Sequence, residues 1–331
     1  MERREFVKRA ALSGAALLGT QIQVPPSPAA ASTDGLAPTA FNRCLWGIHA
    51  EPGAVYDTPY KAIGHAESLV GRQFAVDRQY HRWSDALPTT YEVWTRGQGR
   101  IPYVSWNSYG GSGGPVSWQS IADGTRDAWI TQQAQSIRAW GKKMYLTFNH
   151  EPENDSPRCG TPAEYRAEFG RIISMFETNR VKNVTWVVTL MAPTFHGRNG
   201  GPGNWLPSAP YDIIGVDGYN RWPCFPSHGN KSFNEVFAPA HSFAVAIGKP
   251  MAICEFGTLE ATACDYPGSP SAKATWFHDA GHWIQTWANV VFCAYSHVFA
   301  TFRGKPMAFW FTTSSQALTA FKAVGAGSYF V

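Results

Sequence analysis

Eight short apolar segments recur along the chain, most of them followed by a helical pattern or by sequence rich in Gly, Pro and Asn. Such segments are too apolar for an antiparallel sheet that exposes one face to water. Helix-period apolar spacing fills the intervals between them, less clearly in the second and fifth intervals. The apolar segments are residues 44–49, 73–78, 101–106, 143–148, 184–190, 212–216, 250–254 and 290–295, and the helical patterns are residues 60–69, 117–140, 162–179, 233–247, 272–287 and 315–324.

Alternating strands and helices predict an α/β fold with a parallel sheet covered by helices. Eight such units fit a closed (β/α)8 TIM barrel that forms a single domain. The alternative is an open doubly wound sheet, which normally carries a glycine-rich phosphate-binding turn after an early strand. No such turn follows residues 44–49 or 73–76. We therefore predict the closed barrel, over residues 41–331.

The N-terminus has the features of an export signal. Arg3 and Arg4 precede a short apolar run at residues 10–19, and small residues follow at 29–31. This order is typical of a twin-arginine signal peptide with its cleavage site, and the apolar run is too short to cross a bilayer. We predict a signal at residues 1–31, a linker at 32–40, and a mature protein located outside the cell or in the cell envelope. The alternative is a short anchor that is not cleaved.

Charge and cysteine content exclude some classes of partner. The formal net charge is +4, and the basic residues after the predicted signal are dispersed along the chain, which predicts no nucleic-acid partner. The cysteine and histidine spacings match no metal-binding pattern, so we expect no metal. Export permits disulfides. Three of the six cysteines lie in apolar segments and should be buried: Cys44, Cys254 and Cys293. Of the three in loop-like sequence, we expect two to pair: Cys159, Cys224 and Cys264.

Two glutamates stand where predicted strands end. Glu151 follows the fourth apolar segment and Glu255 follows the seventh. A glutamate before a proline, as Glu151 is, usually lies in solvent, but an unpaired charge directly after a buried strand, as at Glu255, costs several kcal/mol unless it serves a function. Active sites of such barrels lie at the C-terminal ends of the strands, and retaining glycoside hydrolysis needs two carboxyl groups about 5 to 5.5 Å apart. The two positions together predict a catalytic pair.

The residues around this pair resemble glycoside hydrolase family 26, the mannanase-type retaining enzymes. His150-Glu151 and Glu255-Phe256-Gly257 carry the resemblance, together with the run that ends in Tyr219 and the helix after residues 311–315. The resemblance covers most of the mature chain. It implies that Glu151 is the general acid/base, that Glu255 is the nucleophile, and that Tyr219 lies near the nucleophile.

The chain departs from the family pattern at two positions. Family mannanases commonly carry an arginine shortly before the His-Glu pair, whereas this chain has residues 145–149, Tyr-Leu-Thr-Phe-Asn, at that place. Arg78 or Arg221 could replace it. Pro152 follows the predicted acid where mannanases often have methionine or asparagine. Both departures concern the choice of substrate more than the reaction.

Further residues at the predicted strand ends fit a sugar-binding cleft, because the apolar faces of pyranose rings stack on flat side chains. We predict that Glu151 holds a proton at rest, because of burial and the neighbouring Glu255, and that Glu255 stays ionised. The predicted substrate-binding residues are His150, Tyr219, Trp106, Asn107, Trp222 and Tyr295.

The sequence therefore predicts an exported retaining glycoside hydrolase that cleaves a polysaccharide or oligosaccharide, with β-mannan as the first candidate and β-glucan or β-xylan as the second. One alternative is a catalytically silent carbohydrate-binding barrel, which would normally have lost one of the two glutamates. Another is a metal-dependent barrel hydrolase, which needs clustered His and Asp ligands. The reaction requires no cofactor, and we expect a monomer.

Overall fold

The computed structural model describes residues 43–52, 56–108, 114–269 and 271–331. The predicted signal and linker lie outside the described residues. Eight parallel strands form a closed barrel in chain order, in which β1 pairs with both β2 and β8. The predicted (β/α)8 barrel is confirmed. The strands are β1 (Leu45–Ala50), β2 (Val76–Arg82), β3 (Ile101–Asn107), β4 (Met144–Phe148), β5 (Val184–Met191), β6 (Ile213–Asn220), β7 (Met251–Thr258) and β8 (Val290–His297).

Helices follow the strands around the outside of the barrel. The two intervals with weak helical patterns hold only short helices, α2 and α6, and the predicted helix at residues 117–140 divides into α3 and α4. The helices are α1 (Pro59–Val70), α2 (Thr90–Gly97), α3 (Trp118–Ala122), α4 (Asp127–Trp140), α5 (Pro162–Thr178), α6 (Ala192–Phe195), α7 (Phe233–Ala246), α8 (Ser271–Thr286) and α9 (Ser315–Gly325). None of the helices within the described ranges is long and apolar enough to span a membrane.

Local sequence fixes where three of these helices begin. Each starts with a capping box, in which a Ser or Thr side chain accepts from the backbone N–H three residues on, and a Glu there accepts from the capping residue's N–H. Such a cap satisfies otherwise unpaired donors and typically contributes about 1 kcal/mol. The three pairs are Thr89 with Glu92, Thr161 with Glu164, and Ser232 with Glu235.

The core has an inner and an outer layer. Inside the barrel, Tyr103 and Tyr145 pack on Phe292 with ring centroids 5.1 and 4.6 Å apart. The outer layer lies between strands and helices, where Phe321 of α9 packs on Trp46 of β1. Buried aromatic side chains contribute roughly 1.5–3 kcal/mol each by leaving water. The filled interior leaves the C-terminal ends of the strands as the place for a site.

The cysteine predictions are confirmed. Cys224, after β6, forms a disulfide with Cys264, after β7, with the two Cα atoms 5.3 Å apart. Cys44, Cys254 and Cys293 are buried thiols. The disulfide therefore joins two loops at the C-terminal face of the barrel. A two-stranded hairpin, β9 (Phe299–Phe302) and β10 (Lys305–Ala308), follows β8 on the same face.

Candidate active site

A bulge in β7 directs Glu255 into the mouth of the barrel. Val216 pairs with Ile253 and the next β6 residue, Asp217, pairs with Glu255, so Cys254 is an extra residue in β7. Cys254 belongs to the inner core, with its Sγ 3.7 Å from Thr189 Oγ1. In a regular strand the following side chain would point toward the helices. Because the bulge breaks that alternation, the Glu255 carboxylate can also lie on the inner side.

The Glu255 carboxylate accepts three hydrogen bonds from the surrounding strands. Its Oε1 accepts from Tyr80 Oη at 2.7 Å and from Arg78 Nη2 at 2.9 Å, and its Oε2 accepts from Tyr219 Oη at 2.5 Å. Ser296 Oγ lies 2.8 Å from the Tyr219 hydroxyl. Donors on both oxygens favour the ionised form and fix the direction of the carboxylate. A carboxylate held in this way is suited to nucleophilic attack.

The two tyrosines remain protonated donors. Burial raises the pKa of the Tyr80 hydroxyl well above its usual range, and the Glu255 charge raises it further against the opposing effect of Arg78. Burial, followed by the Glu255 charge, likewise raises the pKa of Tyr219. Both hydroxyls therefore keep the protons that they donate to Glu255 across the physiological pH range.

Arg78 supplies positive charge beside the nucleophile. It is fully buried, and its Nη2 contacts Asp217 Oδ2 at 3.3 Å as well as Glu255 Oε1. Within the described ranges His150, Asp217 and Glu255 also bring ligand atoms within 4.8 Å of one another, a spacing that a metal ion could use. The guanidinium already lies against both carboxylates of that group. Of the two arginines proposed to replace the family arginine, Arg78 is the one that contacts Glu255, whereas Arg221 lies 5.4 Å from the Tyr219 ring.

The loop after β4 presents Glu151 in a strained backbone. Asn149 and Glu151 both adopt left-handed conformations, with φ of 48° and 51°. Such strain costs of the order of 1 kcal/mol for each non-glycine residue and persists only where surrounding contacts impose it. Asn149 Oδ1 accepts from Ser108 N at 2.6 Å, and Glu151 N donates to Thr189 O at 3.0 Å. The loop is therefore fixed to β5 and to the end of β3.

Asn154 determines which oxygen of Glu151 is available for a proton. Its Nδ2 donates to Glu151 Oε2 at 2.7 Å, so that oxygen acts as an acceptor. In the protonated acid the hydrogen then belongs on Oε1. Asn154 ends the short 3-10 helix Pro152–Asn154, which begins directly after Glu151. The departure from the family sequence at Pro152 thus forms part of the turn that places this amide.

Glu153 anchors the same turn from behind. Its Oε1 accepts from Met191 N at 3.0 Å and from Thr194 Oγ1 at 2.5 Å. Burial raises the pKa of Glu153 to about 8. Glu153 therefore carries a proton at neutral pH and adds no negative charge beside Glu151.

The raised pKa of Glu153 makes stability depend on pH. Between the usual glutamate pKa of 4.5 and the folded value of about 8, the folded protein binds more protons here than the unfolded chain, so the free energy of unfolding falls as pH rises. Glu153→Gln mimics the protonated acid and should raise the unfolding free energy at pH 8 by a few kcal/mol, with little change at pH 4.5. Urea denaturation at several pH values measures this difference. A variant no more stable than the wild type at pH 8 would contradict a neutral Glu153.

His150, which precedes Glu151 in the sequence, lies near the Glu255 carboxylate. Its Nδ1 lies 3.0 Å from Asn107 Oδ1 and its Nε2 lies 3.9 Å from Glu255 Oε1. Asn107 in turn donates to the carbonyls of His81 and Ser105, both at 3.3 Å. Asn107 thus orients the imidazole toward the mouth, and the direct contacts of both residues with substrate stay predictions.

Two of the predicted sugar-binding aromatic residues do not line the cleft. Trp106 is fully buried and stacks on Trp83 with centroids 4.9 Å apart, and Tyr295 is fully buried with its hydroxyl donating to the Phe309 carbonyl. Neither ring has a face open to a ligand, so the predicted sugar contacts are wrong. Both residues belong to the packing behind the site, because they lie before the last residues of β3 and β8, within the apolar layer.

The other predicted aromatic residues lie where a ligand can reach them. Tyr219 is half-buried at the nucleophile, and Trp222 is half-buried in the loop two residues after β6. The residues that the sequence analysis missed are Tyr80, Asn154 and Ser296. Tyr80 lies in the polar half of β2, where the sequence Asp77-Arg78-Gln79-Tyr80 alternates between outward and inward positions. This alternation, which continues past the apolar segment, is the sequence signal that could have identified Tyr80.

No protein-family model matches the chain. An endoglucanase H from Acetivibrio thermocellus is 30% identical over 286 residues, which cover 81% of this chain and 29% of that relative. The chain therefore spans less than a third of the length of this relative.

Solved structures share the barrel at low sequence identity. A modular endo-β-1,4-mannanase from Cellulomonas fimi matches with a TM-score of 0.59 and 14% identity, covering 88% of this chain and 72% of that one. A family 26 β-mannanase from Bacteroides ovatus matches with a TM-score of 0.57 and 12% identity, covering 89% and 93%. A β-mannanase from a symbiotic protist of the termite Reticulitermes speratus, solved with a gluco-manno-oligosaccharide, matches with a TM-score of 0.55 and 15% identity, covering 88% and 89%. The resemblance predicted from the sequence is confirmed: the chain is 30% identical to an endoglucanase over most of its length and shares its barrel fold with family 26 β-mannanases.

Proposed function

We propose that this protein is a retaining glycoside hydrolase that cleaves β-glycosidic bonds in a polysaccharide, with Glu255 as nucleophile and Glu151 as general acid/base. The observation that supports the proposal best is the Glu255 carboxylate at the barrel mouth, held by Tyr80, Arg78 and Tyr219. A carboxylate fixed by three donors serves attack on carbon better than it serves proton transfer, because its ionised form is stabilised.

In the first step a Glu255 oxygen attacks the anomeric carbon, and the bond from that carbon to the leaving oxygen breaks. Glu151 gives its proton from Oε1 to the leaving oxygen, which departs as a sugar hydroxyl. Glu255 becomes an ester of the sugar, and Glu151 becomes a carboxylate. Arg78 and Tyr219 keep the Glu255 oxygens in position during the attack.

In the second step Glu151 acts as a base. It removes a proton from a water molecule, whose oxygen attacks the anomeric carbon and breaks the ester to Glu255. The sugar leaves with its original configuration, since two inversions have occurred. Asn154 stabilises the ionised Glu151 between the steps through the hydrogen bond to Oε2.

Two different observations support the choice of substrate. The sequence resemblance supports β-mannan as the first candidate. The relative with 30% identity is named an endoglucanase, which supports β-glucan as the second. Both polymers present a chain of β-linked pyranoses to the same pair of carboxyls, so the choice depends on residues around the cleft.

Release of reducing ends tests the function. The purified protein, with residues 1–31 removed, is incubated with β-mannan, glucomannan, mixed-linkage β-glucan and β-xylan. We expect activity on at least one of the first three polymers, and proton NMR of the first product should show the β-anomer. Silence on all four by a folded protein that still binds one of them would favour the binding-only barrel.

We also propose that residues 1–31 direct export by the twin-arginine route and that the mature protein is a monomer outside the cell or in its envelope. The Arg3-Arg4 pair before the short apolar run supports export. Replacing both arginines by lysine should leave the protein in the cytoplasm, and normal export of that variant would contradict the proposal.

Sedimentation equilibrium of the mature protein tests whether it is a monomer.

A further inference from the structure

Two aromatic rings lie together at the edge of the barrel mouth. Trp222 follows β6 and Tyr266 follows β7, and their ring centroids are 4.9 Å apart at an interplanar angle of 65°. Tyr266 is 42% exposed, while Trp222 is half-buried. An exposed tyrosine supported by a tryptophan offers a flat apolar face with a polar tip. We call Trp222 and Tyr266 the outer aromatic pair.

The disulfide holds the outer aromatic pair in position. Cys224 lies two residues after Trp222, and Cys264 lies two residues before Tyr266, so the cross-link joins the loops next to the rings. Lys305 Nζ also donates to the Cys224 carbonyl at 2.7 Å, which fixes the cross-link to the β9–β10 hairpin. Rings that are already fixed lose little conformational entropy when a ligand binds.

The outer aromatic pair is close to the nucleophile along β6. Tyr219 donates to Glu255, and the next residue, Asn220, donates to Asn230 Oδ1 at 3.0 Å and to Thr258 Oγ1 at 3.2 Å. These contacts join the ends of β6 and β7 and their loops. Trp222 lies three residues after Tyr219, so the outer aromatic pair and Tyr219 belong to the same edge of the barrel mouth.

We propose that the outer aromatic pair is a sugar subsite outside the catalytic centre, which takes the apolar face of one pyranose residue of the β-glycan chain. This inference rests on the proposed function for the identity of the chain. The subsite lengthens the stretch of polymer that the protein recognises, and the Cys224–Cys264 cross-link keeps it formed in the absence of ligand.

Chain-length dependence tests this subsite. For Tyr266→Ala we expect the KM for mannohexaose or cellohexaose to rise about tenfold relative to the KM for an aryl disaccharide. A tenfold change corresponds to about 1.4 kcal/mol, which is within the range of an aromatic contact. Tyr266→Phe keeps the ring and should restore the wild-type ratio. The paired substitution Cys224→Ser with Cys264→Ser should raise the ratio in the same direction. The control is Ile247→Ala, an exposed apolar residue at the end of α7 on the opposite face of the barrel.

Calorimetric binding separates failure of the subsite from failure of the proposed function. In a Glu255→Ala background, adding Tyr266→Ala should weaken binding of the hexasaccharides about tenfold, whether or not the wild type cleaves them. An unchanged affinity, or a ratio of KM values that Tyr266→Ala leaves as in the wild type, would overturn the subsite. Turnover with an unchanged ratio would leave the catalytic proposal standing.

Discussion

Glu255→Ala should lose turnover of every glycoside by more than about 10⁴-fold, the order of loss seen when an enzyme nucleophile is removed. We expect the variant to fold, because water can fill the space that the missing side chain leaves near Tyr219 and Arg78. Added azide should partly restore activity on an aryl glycoside. Since azide would attack from the space that the carboxylate leaves, the product should be the α-glycosyl azide, which has the opposite configuration to the β-linked substrate.

Initial rates and product NMR measure this prediction. The control variant is Glu177→Ala, which removes an exposed glutamate near the end of α5 and should keep the wild-type rate. Thermal unfolding of both variants shows whether the barrel is intact. Wild-type activity of Glu255→Ala would sink the proposed mechanism.

Glu151→Ala should lose about 10²- to 10⁴-fold on a polysaccharide, the usual contribution of a positioned proton donor. The loss in the first step should be much smaller on an aryl glycoside whose leaving group needs no proton, because Glu255 still attacks. The glycosyl-enzyme ester then accumulates, since water lacks its base. Azide needs no base, so it should speed the second step and give the β-glycosyl azide.

A burst of the released phenol in a stopped-flow trace, followed by a slow phase that azide accelerates, measures the two steps for this variant. Asn154→Ala is the matched comparison, because it keeps Glu151 and removes only the hydrogen bond to Oε2. If Glu151→Ala and Glu255→Ala lose the same factor on the activated substrate and azide gives the same anomer with both, the two roles assigned to the glutamates are wrong.

The fold could be predicted because apolar segments and helical spacing are local patterns. All eight predicted strands exist, and they start within three residues of the predicted positions. The C-terminal ends were predicted too early for β2, β6 and β7, which continue to Arg82, Asn220 and Thr258. The backbone pairing continues there, although the side chains become polar because they line the mouth. An apolar pattern therefore ends where the site begins.

The site was predictable only in part, because many of its contacts join residues that are far apart in the sequence. A glutamate directly after a buried strand is visible in the sequence, whereas the bulge at Cys254 depends on pairing with β6 and leaves no local signal. Tyr80 is close to Glu255 only because the barrel brings β2 toward β7, 175 residues away in sequence. Trp106 was assigned to the cleft from its place at a strand end, but depth within the wall decides whether a ring faces solvent. The periodicity of the sequence predicts on which face of a strand a side chain lies, but it does not predict how deep in the barrel wall the side chain lies.

The groups around Glu255 come from strands at distant positions in the chain. Arg78 and Tyr80 belong to β2, Tyr219 belongs to β6, and Ser296, behind Tyr219, belongs to β8. No contiguous fragment shorter than the stretch from β2 to β8 contains all of them. Catalytic activity therefore requires the closed barrel. A folding intermediate in which one pair of neighbouring strands has not yet paired would be inactive, although most of its helices would already be formed. Activity would thus report completion of folding more strictly than helix content does.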